Sequence, residues 1–235
     1  MTLPATPDAS RPGSTEWALF DLDGCLVDSS RAIPAGLNVG LAAVGLPPRP
    51  PEALQWCIGP PLSDNFTTLL AEHGIHDRDQ VATAIRGYRD AYPELSVELT
   101  TVVPGIVDVV SQAGQRRATV TSKPAAYARP LAAAMGLLDH FEELFGPSTD
   151  LVVEPKVDTL GRALGTLGIA DPRTAIMVGD RHHDVDAGRV RGTRTIGVTW
   201  GAGDRAELEG ARADHVVAEP PELARVLGAM ASRRT

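Results

Sequence analysis

Cysteine is scarce: the 235-residue chain has two, Cys25 and Cys57, which excludes a disulfide framework and falls short of the four ligands of a structural zinc site. Positive charge is in deficit as well. Thirty Asp and Glu stand against 22 Lys and Arg, a net charge of −8 that repels the phosphate backbone of nucleic acid and the anionic face of a membrane. A small anionic substrate stays possible, since a metal ion and a few cations can invert the field locally. Long apolar runs are missing: nowhere do about eighteen apolar residues follow one another. The first sixteen residues, rich in Pro, Ser and Thr, contain no apolar stretch of the kind that directs export. No internal repeat is present, and no Gly-x-Gly-x-x-Gly follows a strand pattern, which disfavours a nicotinamide-dependent enzyme. The expectation is a protein of the reducing cytoplasm, monomer or homodimer, that binds neither nucleic acid nor membrane, with residues 1–16 a disordered tail.

What is present is enough apolar material for a real core, 43% of the chain, in a length that suggests one domain with a large insertion or two small ones. Short apolar runs ending in polar residues predict buried parallel strands at Trp17–Phe20, Ala118–Thr121, Thr174–Val178, Thr195–Val198 and His215–Val217. Helical spacing lies between them, as in Leu131, Met135 and Leu138, in Leu160, Leu164 and Leu167, and in Leu223, Val226, Leu227 and Met230. Strands alternating with such helices imply a parallel sheet covered on both faces.

Residues 30–100 break that rhythm, with helix spacing (Ile33, Leu37, Leu41, Val44; Leu62, Phe66, Leu69; Val81, Ile85, Tyr88, Tyr92) and no convincing strand. They read as a helical insertion, with loops at Gly45–Pro51 and Ile58–Pro61 and a return segment from about Pro93 to Pro104. The expected fold is therefore α/β, a Rossmann-like parallel-sheet core carrying a small α-helical insertion. The core covers 17–29 and 101–235, and the insertion 30–100.

Asp21-Leu-Asp23-Gly24 after the first strand is weak evidence by itself, because aspartates commonly close turns there. A calcium loop is also poor, since Leu26 and Ala32 stand where an EF-hand has its Gly and Glu. Three further strand or helix edges carry complementary groups: Thr121-Ser122-Lys123, then Lys156 in Glu-Pro-Lys, then Gly179-Asp180 with Asp184 four residues on. In an open parallel sheet such edges converge outside the carboxyl ends of the strands. Carboxylates that hold a hard cation, a hydroxyl that donates to a phosphoryl oxygen and an ammonium that offsets the charge compose a Mg²⁺ and phosphate site.

Together, Phe20–Ser29, Thr121–Pro124, Lys156 and Val178–Asp184 resemble the four ordered motifs of the haloacid dehalogenase-like hydrolases, in the phosphoglycolate phosphatase-like branch. Ile58–Leu62 and Gly197–Gly201 are similar to that branch too, and the helical insertion 30–100 resembles its small α-helical cap domain. The resemblance implies that Asp21 is the nucleophile forming an aspartyl-phosphate and Asp23 the acid and base. It implies Mg²⁺ held by Asp21, the Asp23 backbone carbonyl, Asp180 and Asp184, and phosphate held by Gly24, Thr121, Ser122 and Lys156. The implied activity is hydrolysis of a small phosphate monoester, such as phosphoglycolate, a nucleotide or a sugar phosphate, with a phosphomutase as the alternative. Asp23 separates this reading from metal-free dehalogenases and phosphonate cleavage, whose enzymes lack an Asp at that place. Cys25 departs from the family's usual Thr, and a thiol is the poorer donor. A receiver domain with a phosphorylated Asp is much shorter and has no helical insertion.

Other residues carry blander expectations. His182 and His183 are expected to orient their loop rather than bind metal, and Lys123 to be either an exposed helix-start residue or a phosphate contact. Arg31, Arg86 and Arg89 are expected on a solvated face, and Trp56, Tyr88 and Tyr92 in the cap core.

Overall fold

A computed structural model of the chain describes residues 16–148 and 154–231. The expected tail lies outside the described residues except for Glu16. The first half of the chain runs β1 (Trp17–Phe20), β2 (Val27–Asp28), α1 (Ala32–Ala43), α2 (Leu62–Ala71), α3 (Arg78–Leu99), β3 (Thr101–Val102), α4 (Ile106–Gln112) and β4 (Arg116–Val120). It continues with α5 (Ala125–Ala134), β5 (Glu143–Phe145), α6 (Lys156–Thr166), β6 (Ala175–Gly179), α7 (His182–Arg191), β7 (Arg194–Val198), α8 (Arg205–Gly210), β8 (His215–Val217) and α9 (Pro220–Ala231). Glu16 already joins the sheet: its N–H donates to the Thr174 carbonyl and its carbonyl accepts from Arg116.

Six strands form one parallel sheet in the order β5-β4-β1-β6-β7-β8. From β1 the chain first builds outward through β4 to β5, then crosses back to place β6 on the other side of β1. The carboxyl ends of β1 and β6 therefore flank the point where the winding reverses, the crevice where open α/β sheets bind ligands. Side chains alternate across the sheet. Ala18 and Phe20 join Ile176, Val178 and Ile196 in a core with α4, α5 and α9, while Trp17 and Leu19 join Ala118, Val120 and Met177 in a core with α6 and α7. Burial on both faces explains why these strands read as continuous apolar runs; each large side chain so buried contributes roughly 1.5–3 kcal/mol.

The chain between β2 and β3 is helical. Leu37, Leu41, Leu54, Phe66, Leu69, Leu70 and Ala84 form a third apolar cluster inside it, separate from the two that cover the sheet. The short antiparallel pair β2 and β3 ties its entry to its exit.

Two elements differ from expectation. The return segment does not begin at Pro93: α3 continues through that proline to Leu99. Proline lacks an N–H and costs the helix a bond, yet Tyr92 and Ser96 on either side are buried, and this packing outweighs the local penalty. The edge strand β5 was not legible, because three residues with a leading glutamate become a strand only by pairing with β4.

Candidate active site

The chain leaves β1 into a tight turn. Asp21 extends the pairing by one residue, its N–H donating to the Val178 carbonyl at 2.8 Å, and Leu22 then accepts from both Leu26 and Val27. Gly24 sits at φ +79, and a Cβ added there would lie 2.2 Å from Asp180 Oδ2, so only glycine fits between the turn and that carboxylate. Asp180 follows β6, is 1% exposed, and accepts at Oδ2 from the Ala202 N–H at 2.7 Å. Asp184 sits in the first turn of α7, where its carboxylate accepts from the Arg181 N–H at 3.1 Å and meets the positive end of the helix.

Lys156, the first residue of α6, is buried against both acids. Its Nζ lies 2.7 Å from Asp21 Oδ1 and 2.5 Å from Asp184 Oδ1. One carboxylate oxygen from each of Asp21, Asp180 and Asp184 falls within 4.8 Å of the others. Three buried carboxylates thus face a single ammonium, and Asp21 and Asp180 reflect the excess. Burial, offset in part by Lys156, together with repulsion from Asp184 and Asp23, pushes the Asp21 carboxyl up to about 6. Asp180 is raised well above the carboxylate range by burial and then by Asp184 and Asp21. For Lys156 burial works against the charge, but Asp184 and Asp21 outweigh it and hold the ammonium above its usual range. An all-oxygen donor set with uncompensated negative charge fits a hard divalent cation.

Thr121 follows β4, buried, with its N–H on the Phe145 carbonyl and its Oγ1 accepting from the Lys123 N–H at 3.1 Å; the hydroxyl keeps its own proton to donate. Ser122 is half-buried beside it. The Asp23 side chain stands outside the trio of acids, accepting at Oδ1 from Ser29 Oγ and from Lys123 Nζ. Beside the turn a cavity of about 140 Å³ opens between sheet and helices, lined by Gly24, Ser29, Ser30, Gln55, Ile58 and Trp200 among others.

The profile of the haloacid dehalogenase-like hydrolases matches residues 18–198. The chain belongs to that family. It is 34% identical over 199 residues to the tyrosine-protein kinase PtkA of Mycobacterium tuberculosis, covering 83% of this chain and 66% of PtkA, so it spans about two-thirds of that relative's length. It is also 34% identical over 201 residues to the phosphoglycolate phosphatase of Chromobacterium violaceum, covering 80% of this chain and 87% of that enzyme. Among solved structures it is similar to a predicted phosphatase from Clostridium acetobutylicum, with a TM-score of 0.83 and 29% identity over 91% of this chain and 98% of that one. This hydrolase-family sheet, with phosphoglycolate phosphatases among the relatives, is the fold and branch that the four motifs resemble.

Some of the remaining side chains sit where expected and others do not. His182 does not reach the acids: its Nδ1 and N–H both lie 2.8 Å from Glu207 Oε1, which also accepts from Arg181 Nε at 2.9 Å. Burial alone would raise the Glu207 carboxyl, but these bonds hold it down at about 2. Arg181 further donates to the Ile58 carbonyl at 2.6 Å, tying the loop after β6 to the helical insertion. Lys123 is no exposed helix-start residue, being 8% exposed and paired with Asp23. Trp56 is no core residue, at 41% exposed, whereas Tyr92 is buried and Tyr88 partly so. Arg31 and Arg86 are exposed as expected, and Arg89 is half-buried. Cys25 is fully buried with its Sγ 3.8 Å from the Val178 carbonyl, and burial pushes its thiol up. Ser29 and Tyr92 carried no sequence signal as site residues, because their role depends on contacts 6 and 31 residues away, with Asp23 and Lys123.

Proposed function

We propose that the chain is a Mg²⁺-dependent phosphatase that hydrolyses a small phosphate monoester through an aspartyl-phosphate on Asp21. The observation that carries this reading is the buried Lys156 ammonium shared between Asp21 and Asp184 beside Asp180, at the winding reversal of the sheet. Asp21, Asp180 and Asp184, joined by the Asp23 backbone carbonyl, would hold Mg²⁺, which supplies positive charge to the phosphoryl oxygens and favours the ionised nucleophile.

An Asp21 carboxylate oxygen attacks phosphorus while the bond to the ester oxygen breaks, and Asp23 gives its proton to that leaving oxygen. Asp23, now a carboxylate, then takes a proton from water as the water oxygen attacks the same phosphorus. The bond to Asp21 breaks, releasing inorganic phosphate and restoring both acids. Thr121, with Gly24 and Ser122, holds the phosphoryl group, and Lys156 balances its charge against Asp21. We assign residues 30–100 as the cap over a core of 17–29 and 101–235. Two unpaired, buried cysteines suit a reducing cytoplasm, and no described helix is long and apolar enough to cross a membrane.

The test is release of inorganic phosphate from a panel of esters with Mg²⁺ and with EDTA, without any bisphosphate activator. Release should need the metal, and Asp21→Asn, nearly isosteric but unable to attack, should fall to background while its circular dichroism and melting stay near those of the wild type. A folded Asp21→Asn protein that keeps turnover removes Asp21 as nucleophile.

A further inference from the structure

Lys123 connects two parts of the molecule that lie far from it along the chain. Its ammonium donates to Asp23 Oδ1 at 2.7 Å and to the Tyr92 hydroxyl at 2.7 Å. Asp23 lies in the turn after β1, whereas Tyr92 lies on α3 in the helical insertion. Tyr92 is itself immobilised: it is 2% exposed and stacks on Tyr88 with centroids 4.6 Å apart, and Tyr88 meets Phe66 edge-on at 6.4 Å. The position of the phenol is therefore set by the insertion's own core. An ammonium has three protons and no acceptor, so burying it requires partners, and here those partners are the carboxylate of one part and the hydroxyl of the other.

We infer that Lys123, braced by Tyr92, is a positioning residue that fixes the Asp23 carboxyl when the helical insertion sits over the sheet. This rests on the phosphatase reading above. Lys123 and Ser29 both grip Oδ1, which leaves Oδ2 to exchange the proton with the leaving oxygen and then with water. If the insertion moves away, Tyr92 goes with it and Lys123 loses one of its two anchors, so the acid and base is placed only with the insertion seated. In this arrangement a cap residue acts on the chemistry through a core lysine, without touching the reacting atoms.

The leaving group separates positioning from mere support. An alkyl phosphate needs a proton delivered to its departing alkoxide, whereas 4-nitrophenolate departs as a stable anion and needs little help. The experiment compares kcat/KM, with Mg²⁺, on 4-nitrophenyl phosphate and on the faster of phosphoglycolate and glycerol 3-phosphate. Tyr92→Phe keeps the ring stack and deletes only the hydroxyl. It should lower kcat/KM about tenfold on the alkyl ester and less than about twofold on 4-nitrophenyl phosphate. Lys123→Met should lower the alkyl-ester value about 10²-fold with the same tolerance of 4-nitrophenyl phosphate, and the double variant should be no worse than Lys123→Met alone. Equal losses on both esters in folded Tyr92→Phe protein, or no loss on either, would overturn the inference while leaving the phosphatase reading intact. Turnover that survives Asp21→Asn, or a wild type that releases phosphate from none of these esters, would instead overturn the phosphatase reading and this inference with it.

Discussion

Asp21 and Asp180 hold their protons more tightly than ordinary carboxyls, because burial and the charge of neighbouring carboxylates, Asp184 foremost, penalise ionisation more than Lys156 favours it. Without metal this has a definite sign. A folded carboxyl whose pKa is raised adds stability that is fully present below the unfolded value of 3.8 and is lost as the pH climbs through the folded value, about 6 for Asp21. The melting temperature in EDTA should therefore drop by several degrees between about pH 4 and 7. On the proposed function, saturating Mg²⁺ should reverse that slope by binding the ionised acids, and Asp180→Asn should flatten the EDTA curve. Differential scanning calorimetry across that range checks it. A melting temperature that rises with pH in EDTA, or that ignores Mg²⁺, speaks against the trio as a strained, metal-seeking cluster.

At the scale of elements, the close crossing of α1 and α3 is set by small residues. A Cβ on Gly40 would come 2.3 Å from Phe66 Cζ and 2.6 Å from the Ala84 carbonyl oxygen. Alanine is the better helix former by about 1 kcal/mol, yet here the clash should dominate, and Gly40→Ala should destabilise the protein by ~1–3 kcal/mol in urea unfolding. Gly165 in α6 is the counterpart, with nothing within 4 Å of an added Cβ, and Gly165→Ala should stabilise by ~0.5–1 kcal/mol. Stabilisation by Gly40→Ala equal to that by Gly165→Ala would mean the helices are not packed this closely. Most of the sheet was readable at this scale because β1, β4, β6 and β7 bury both faces and announce themselves as apolar runs. The helix beyond Pro93 was not, since tertiary packing overrode the local signal of a proline.

For the whole molecule, the helical insertion bonds to the sheet domain through Lys123 and Tyr92 on one side and through Arg181 and the Ile58 carbonyl on the other. On the proposed function the insertion is a lid that would exclude bulk water and limit what approaches Asp21. The protein should hydrolyse small phosphate monoesters efficiently and folded phosphoproteins negligibly, even though one relative bears the name of a tyrosine-protein kinase. Replacing residues 30–100 by a short linker, where the core still folds, should slow the best small substrate and relax the size limit. Comparable kcat/KM on a folded phosphoprotein and on small esters would remove the lid from the account.

The candidate site was legible to an unusual degree as a set of residue types, because each acid, the Thr and the Lys follow a strand or open a helix, and strand ends are visible in the pattern of apolar residues. Sequence alone determined the α/β class, the helical insertion and the identity of Asp21, Asp23, Thr121, Lys156, Asp180 and Asp184 as candidates, since these depend on periodicity and on order along the chain. Only the tertiary structure decided that Lys156 is shared by Asp21 and Asp184, that His182 belongs to Glu207, and that Lys123 spans from Asp23 to Tyr92. Those pairings join residues from 25 positions apart, His182 with Glu207, to 135 positions apart, Asp21 with Lys156. Hydrogen bonds and ion pairs at such separations are fixed by how the sheet winds and how the insertion seats on it, which no local pattern encodes.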